Sequence, residues 1–464
     1  MSAYAHDKSG WRWTPATSSA VEPDRVKHLI KSEIEKYMLT TPASSAAQRR
    51  ALRRIPLGVP SSFQFWDPHP LSISSAFGSH LIDVDGRDLL DLSMGFGSVL
   101  VGHLHPHVVE ACESALRTGT LFVAPSTVTA EAAERITARF DLDKVRFTNS
   151  GTESLMYAVR VAKVYTGRED IVKIEGGYHG GYDPLTVSVK PSLEKAGKPN
   201  APQPVFAEGT ATGNVHVVPY NDLNSLEDLL KEHGNSIAAL VMEPVLENLA
   251  IILPDAGYLS GVRALCDQHG VLLIFDEVKT GLTAGPYGAS RLLGVKPDLI
   301  TLAKSIAGGL PVGAFGGRAD LMETISNGGV QHMGTFNGNP LGMAAVVAVD
   351  DIMTEEAIAK STALNIRTLT HVAGIIKSYE LPAHTVGFGA KGCVTWSPNV
   401  VRNYRDYKGT NFALAELHWL WMLNRGIVTP PGLDEQWLVS FAHTEEDMNM
   451  VVSTFEDLAT HLRS

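Results

Sequence analysis

The sequence predicts an α/β protein: a mainly parallel sheet in a large domain, joined to a smaller α+β domain built from both chain ends. Two observations predict it. Between about residues 105 and 360, short apolar runs alternate with helical stretches, the texture of strand–helix units. Outside that span, hairpin and turn signals with a few helices replace it. The 464 residues, 44% hydrophobic and 19% charged, are enough for more than one core.

Bulk properties narrow the function. The net charge of −11 argues against a nucleic-acid partner, whose phosphates call for a basic face. No apolar run approaches the roughly 20 residues of a membrane helix. The opening stretch MSAYAHDKSGWRWTPATSS lacks the apolar core of a signal peptide, so a cytoplasmic location is expected. Cys112, Cys266 and Cys393 are widely spaced and odd in number, which fits neither a disulfide framework nor a zinc site.

Along the chain, residues 1–22 read as a flexible arm. Residues 23–104 form the N-terminal part of the small domain. There PDRVKHLIKSEIEKYML spaces Val26, Leu29, Ile30 and Ile34 as one helix face. AAQRRALRRI reads as a short basic helix or turn, and HLIDVDGRDLLDL as a hairpin about Asp85-Gly86. Residues 105–360 form the large domain, with strands in KVRFTNSG, DIVKIEGGYHG, IAALVMEPV, VLLIFDEV and DLITLAKSI. Residues 361–464 return to the small domain, with helices near 410–424 and 444–462. In parallel sheets, sites collect at the carboxyl ends of strands, and each of these strands ends in polar or glycine residues.

Four strand ends carry chemistry. Asn149, Ser150, Gly151 and Thr152 lie between a strand and a helix. Such a helix start offers free N–H groups and partial positive charge to a phosphate, and Gly151 admits close approach; the alternative is a plain Ser/Thr cap. Asp276 ends a run of apolar residues, where a buried carboxylate needs a cation: a structural Arg or Lys, or a protonated heterocyclic nitrogen. Tyr178 and His179 sit among four glycines, where a flat ligand can lie against the backbone, or Tyr178 can merely pack. Lys304 follows the apolar run of DLITLAKSIAGG. It either reaches solvent from a helix start or is delivered into a pocket as a reactive amine.

One cofactor uses all four. Pyridoxal 5'-phosphate (PLP) has a phosphate for the helix start, a pyridinium nitrogen for an aspartate, a ring to stack and an aldehyde for a lysine. The lysine, released by substrate, becomes an amine able to move a proton at the substrate Cα.

The stretches GHLHPHVVEA, RFTNSGTES, GGYHGGYD, VVPYND, VMEPV, LLIFDEVKTG, PDLITLAKSIAGGLPVGAFGGR and GTFNGNPLGMAA run in one order over most of residues 70–350. In them the chain resembles the class III PLP-dependent aminotransferases, nearest the glutamate-1-semialdehyde aminomutase and β-amino-acid transaminase branch. The resemblance implies fold type I with a seven-stranded type of sheet. It implies Lys304 as the Schiff-base lysine, Asp276 as the pyridine-nitrogen partner and Tyr178 stacked on the ring, these three being catalytic. Ser150, Gly151 and Thr152 would hold the phosphate, Val278 would press on the other ring face, and His179 and Glu243 would lie close to the cofactor. Thr335 would reach the phosphate of a neighbouring subunit, so a homodimer with shared active sites is implied. The reaction would pass an amino group from a small-molecule donor to a carbonyl acceptor. His103, His105 and His107 match a common stretch of the family, which sets aside a metal reading.

The chain departs from that branch where relatives clamp a substrate carboxylate with arginine. At one such place stands Ser61, and at the other Pro431 or Gly432. Phe63, Phe65 and Trp66 stand at the pocket entrance instead, where Phe63 and Trp66 either offer apolar surface or belong to the core. Leu246 and Glu247 stand where the aminomutases have small residues. Glu247 either attracts a substrate amine or is a solvated loop carboxylate. Arg402 and Arg405 remain as other possible carboxylate ligands. Residues 190–216, rich in Pro, Gly and Ala, read as a lid.

Overall fold

A computed structural model describes residues 5–7, 10–14, 17–210, 213–431 and 436–464. The chain falls into two units. The large unit holds residues 106–358 and 401–408, and the small unit holds 1–105, 359–400 and 409–464. Residues 401–408, expected with the small domain, cluster with the large unit because their side chains bond to it: Arg402 to Asp255 and Arg405 to Glu175.

The large unit is built on one seven-stranded sheet. Its strands are β1 (Lys144–Thr148), β2 (Asp170–Ile174), β3 (Val215–Val218), β4 (Ile237–Met242), β5 (Leu272–Asp276), β6 (Leu299–Leu302) and β7 (Gly313–Gly317). They lie in the order β3-β2-β4-β5-β6-β7-β1. Neighbours from β3 to β6 are parallel, and β7 runs antiparallel to both β6 and β1. Every residue of β2, β4, β5, β6 and β7 is buried, as expected of strands covered on both faces. Helix α1 (Gly151–Thr166) covers part of one face. Its Leu155, Ala158, Val159 and Ala162 share a core with Ile171, Val241, Ile274 and Phe315. Gly167 ends the helix in a left-handed conformation, φ +66°.

The small unit holds a four-stranded and a five-stranded sheet. The expected hairpin pairs His80–Asp83 with Asp88–Asp91, and Gly86 takes φ +85° in its turn. The helical stripe of Val26 lies in Pro23–Thr40, the basic stretch forms Pro42–Ala51, and the late helices are Phe412–Asn424 and Glu445–Arg463. Thr444 and Asp447 close a reciprocal capping box on the last helix. Residues 10–13, expected within a loose arm, are sheet instead. Trp11, Arg12 and Trp13 pair with Gly387, Val386 and Thr385, and Trp13 packs on the core of Val26, Trp396 and Phe455. Two tryptophans within three residues give that short strand apolar surface to bury.

Among the described residues, no helix is long and apolar enough to cross a membrane. Cys266 and Cys393 are buried thiols, and Cys112 is partly exposed.

Candidate active site

Asp276 is the last residue of β5 and is 4% exposed. Its Oδ2 lies 2.8 Å from His179 Nδ1. Its Oδ1 accepts the Val278 N–H at 3.0 Å and the Thr301 hydroxyl at 3.4 Å. Burial, then the charge of Lys173, hold His179 below the usual imidazole range, against the pull of Asp276. His179 is therefore neutral and donates Nδ1–H to Asp276 Oδ2. His179 Nε2 finds no hydrogen-bond partner among the described residues.

The helix start lies against the same groups. Ser150 caps α1, its hydroxyl accepting the Glu153 N–H at 3.2 Å. The plain-cap alternative is thus realised in Ser150. Gly151 leaves little room for a side chain: an added Cβ would lie 2.8 Å from Val278 Cγ2, which would have to shift. Thr152 Oγ1 accepts the Gly181 N–H at 3.2 Å and joins the helix start to the glycine turn. Tyr178 is half-buried in that turn, where its carbonyl meets Asn248 Nδ2 at 3.5 Å.

Lys304 begins a single 3₁₀ turn just after β6. Its backbone takes φ +53°, a left-handed conformation uncommon outside glycine and often found at functional sites. It is half-buried rather than solvent-borne.

Glu243 follows β4 and is 2% exposed. Its Oε2 accepts the Glu247 N–H at 2.9 Å, and Oε1 has no partner among the described residues. Burial, then the charge of Asp276, push it up to about 8, so it is protonated at neutral pH. Glu247 is fully buried, and its carbonyl accepts Lys279 Nζ at 2.8 Å. The solvated-loop alternative for Glu247 therefore falls.

Thr335 is exposed. Its neighbour Asn337 accepts Asn149 Nδ2 at 2.9 Å, which ties that turn to the loop before α1. Asn337, Thr301 and Lys173 were not singled out in the sequence. The first two carry no pattern of their own. Lys173 did carry a signal, a lone charge inside the apolar strand DIVKI.

The other candidates are occupied elsewhere. Arg402 reaches Asp255 through Nε and Nη2. Arg405 forks onto Glu175 and also donates to the carbonyls of Ala196 and Gly197. The stretch expected as a lid carries a two-stranded hairpin, Gly197–Lys198 with Ala201–Pro202, and Arg405 holds it. His103 pairs with Asp91 and His107 with Asp351. In the small unit, Ser61 is exposed and Trp66 packs edge-on to Trp419 at 5.6 Å. Phe63 is half-exposed, near Phe96. Gln64, Trp66, Phe96, Thr429 and Pro431 line a cavity of about 420 Å³. Gly432 lies outside the described residues.

The large unit thus holds a buried carboxylate hydrogen-bonded to a neutral imidazole, a helix start beside glycine, and a lysine at a strand end. This donor set fits PLP: a partner for the ring nitrogen, N–H groups for the phosphate, and an amine for the aldehyde.

The comparisons agree with that fit. The family model for class-III aminotransferases matches residues 64–400. A glutamate-1-semialdehyde 2,1-aminomutase of Anaeromyxobacter dehalogenans is 38% identical over 386 residues, 83% of this chain and 89% of that protein. A glutamate-1-semialdehyde aminomutase from Pseudomonas aeruginosa superposes with a TM-score of 0.88 at 27% identity, covering 96% of this chain and 100% of that one. An omega-transaminase from Sphaerobacter thermophilus gives a TM-score of 0.87 at 29% identity, covering 91% of this chain and 98% of that one. The chain belongs to the class-III aminotransferase family, PLP-dependent enzymes of fold type I.

Proposed function

We propose that the chain is an aminotransferase that moves an amino group between an amine or amino-acid donor and a carbonyl acceptor in a ping-pong cycle. Its substrate lacks the usual arginine-clamped carboxylate. When bound, PLP supplies the aldehyde that carries the amino group and a ring that draws electrons from the substrate Cα. Lys304 Nζ would hold it covalently and, once released, would move the proton at the substrate Cα. Asp276, oriented by the Nδ1–H of His179, would hold the proton on the ring nitrogen. Thr152, Gly151 and the first N–H groups of α1 would bind the phosphate, with Ser150 shaping that turn as its cap. Tyr178 and Val278 would orient the ring, with Glu243 close by.

One observation carries the substrate class. Arg402 and Arg405, two other candidates for a substrate carboxylate, are committed to Asp255 and Glu175. Ser61, and Pro431 or Gly432, stand where the family clamps would be. An amine, amino alcohol, amino sugar or modified amino acid fits such a site best.

A second reading is an intramolecular aminomutase or epimerase using the same lysine, and the names of the 38%-identical relatives favour the aminomutase. A homodimer belongs to either reading. Met333 and Phe336, 73% and 60% exposed, flank Thr335 and would be covered by a second copy.

The test is a single-turnover absorbance scan of the PLP-loaded enzyme against α-amino acids, β-amino acids, diamines and simple amines, without acceptor. Stoichiometric loss of the visible band with non-carboxylate donors alone supports the proposal. Conversion by ordinary amino acids removes the missing-clamp reading. Donors that perturb the band and return isomerised replace it with the aminomutase.

A further inference from the structure

We propose that Lys173 is a positioning residue: its ammonium fastens the turn bearing Tyr178 and His179 to strand β2, and so fixes the His179–Asp276 pair. The inference rests on the reading of Asp276 as the ring-nitrogen partner.

Lys173 has no solvent exposure. Its Nζ lies 2.9 Å from the Gly177 carbonyl, 3.0 Å from that of Leu185 and 2.5 Å from that of Val187. An ammonium has three donors, and all three are taken. Every acceptor lies beyond the end of β2, on the chain that turns back over the strand. Tyr178 and His179 sit between the first acceptor and the second. An apolar residue at 173 would leave three carbonyls buried without these donors.

The charges around it are consistent with this role. Lys173 pairs in register with Val241 on β4, which in turn pairs with Ile274 on β5. Two residues further along those strands stand Glu243 and Asp276. Burial pulls the Lys173 ammonium down to about 7. Three carbonyl acceptors at these distances call for three protons, so Lys173 is charged in the folded chain. Its charge then opposes a second proton on His179, while Asp276 favours one. Burial sides with Lys173 and the imidazole stays neutral. Lys173 therefore acts twice, by holding the turn and by opposing a second proton on His179.

The experiment uses the full chain with PLP and two variants. Lys173→Met removes donors and charge, and Lys173→Gln keeps two donors without the charge. Cofactor affinity is read by titration, and the His179 ring nitrogens by ¹⁵N NMR with and without PLP. The wild type should show neutral His179 protonated on Nδ1. Both variants should keep native circular dichroism, bind PLP about tenfold more weakly or worse, and lose the single-tautomer His179 signal. Folded variants with wild-type affinity and wild-type His179 signals overturn the proposal. So does loss of folding in both, which would assign Lys173 to the core alone. A wild-type chain that takes up no PLP would instead sink the cofactor reading, and the His179 signals of the cofactor-free chains would still report on the tie.

Discussion

Arg405 grips Glu175 with a two-pronged ion pair, Nε to Oε2 at 3.0 Å and Nη2 to Oε1 at 2.8 Å. Glu175 is 1% exposed and immediately precedes the turn of Tyr178 and His179. The same guanidinium donates to the carbonyls of Ala196 and Gly197, so one side chain joins the hairpin to that turn. Arg405→Ala strands a buried carboxylate and should cost about 3–5 kcal/mol in urea unfolding. Arg405→Lys keeps the charge but not the fork, and should recover only part of that loss. Full recovery by lysine would mean that charge alone matters here.

Gly180 and Gly151 should respond differently to alanine. At Gly180 an added Cβ would fall 2.2 Å from Thr152 Oγ1, on a backbone at φ +80°. At Gly151 the nearest atom is the end of the Val278 side chain at 2.8 Å, and the helical backbone suits alanine. Gly180→Ala should destabilise by about 1–3 kcal/mol and weaken PLP binding. Gly151→Ala should cost less stability and act mainly on PLP affinity. Thermal melts with and without PLP separate the two.

Two buried histidines of the small unit should make the fold acid-sensitive. His384 Nδ1 lies 2.8 Å from the Ser397 carbonyl and therefore carries the proton, while Nε2 has no partner among the described residues. His443 Nδ1 accepts the Ser440 N–H at 2.9 Å and so cannot take a proton without breaking that bond. Burial holds each at about 4 in the folded chain, against 6.5 for the free imidazole. Below pH 6.5 the unfolded chain takes up protons that the folded chain refuses. Stability contributed by these groups is thus complete above pH 6.5 and falls as pH drops towards 4, by about 3 kcal/mol for each histidine. Urea midpoints between pH 7.5 and 4.5 should fall with acid, and His384→Phe should flatten the slope. An unchanged slope in that variant would contradict the assignment.

Asp276 and His179 should rank in that order. Asp276→Asn removes the charge proposed for the ring nitrogen and should lower kcat on the order of 10²–10³-fold. His179→Asn removes only the group that orients Asp276 and should cost on the order of tenfold. A larger loss from the histidine variant would reverse the roles.

Much of this was legible in the sequence because periodicity and motif order are local. The five strand runs, the Asp85-Gly86 hairpin and the late helices can be read from patterning alone. β7 escaped, because GAFGG has three glycines in five residues and so no apolar period. The strand at Gly10–Trp13 escaped for another reason: its partner, His384–Phe388, lies more than 370 residues away in sequence. Lys304, Asp276 and the helix start could be found because each interrupts an apolar run. The occupation of Arg405 by Glu175 and the burial of Glu247 depend on long-range packing that no local stretch encodes.

Peptide mapping after hydride reduction of the PLP-loaded enzyme shows which lysine carries the cofactor. One pyridoxyl-labelled peptide is expected, bearing the label on Lys304, with loss of the visible band in Lys304→Ala. A label on Lys279 or Lys173, or a Lys304→Ala chain that keeps both the band and turnover, would contradict it.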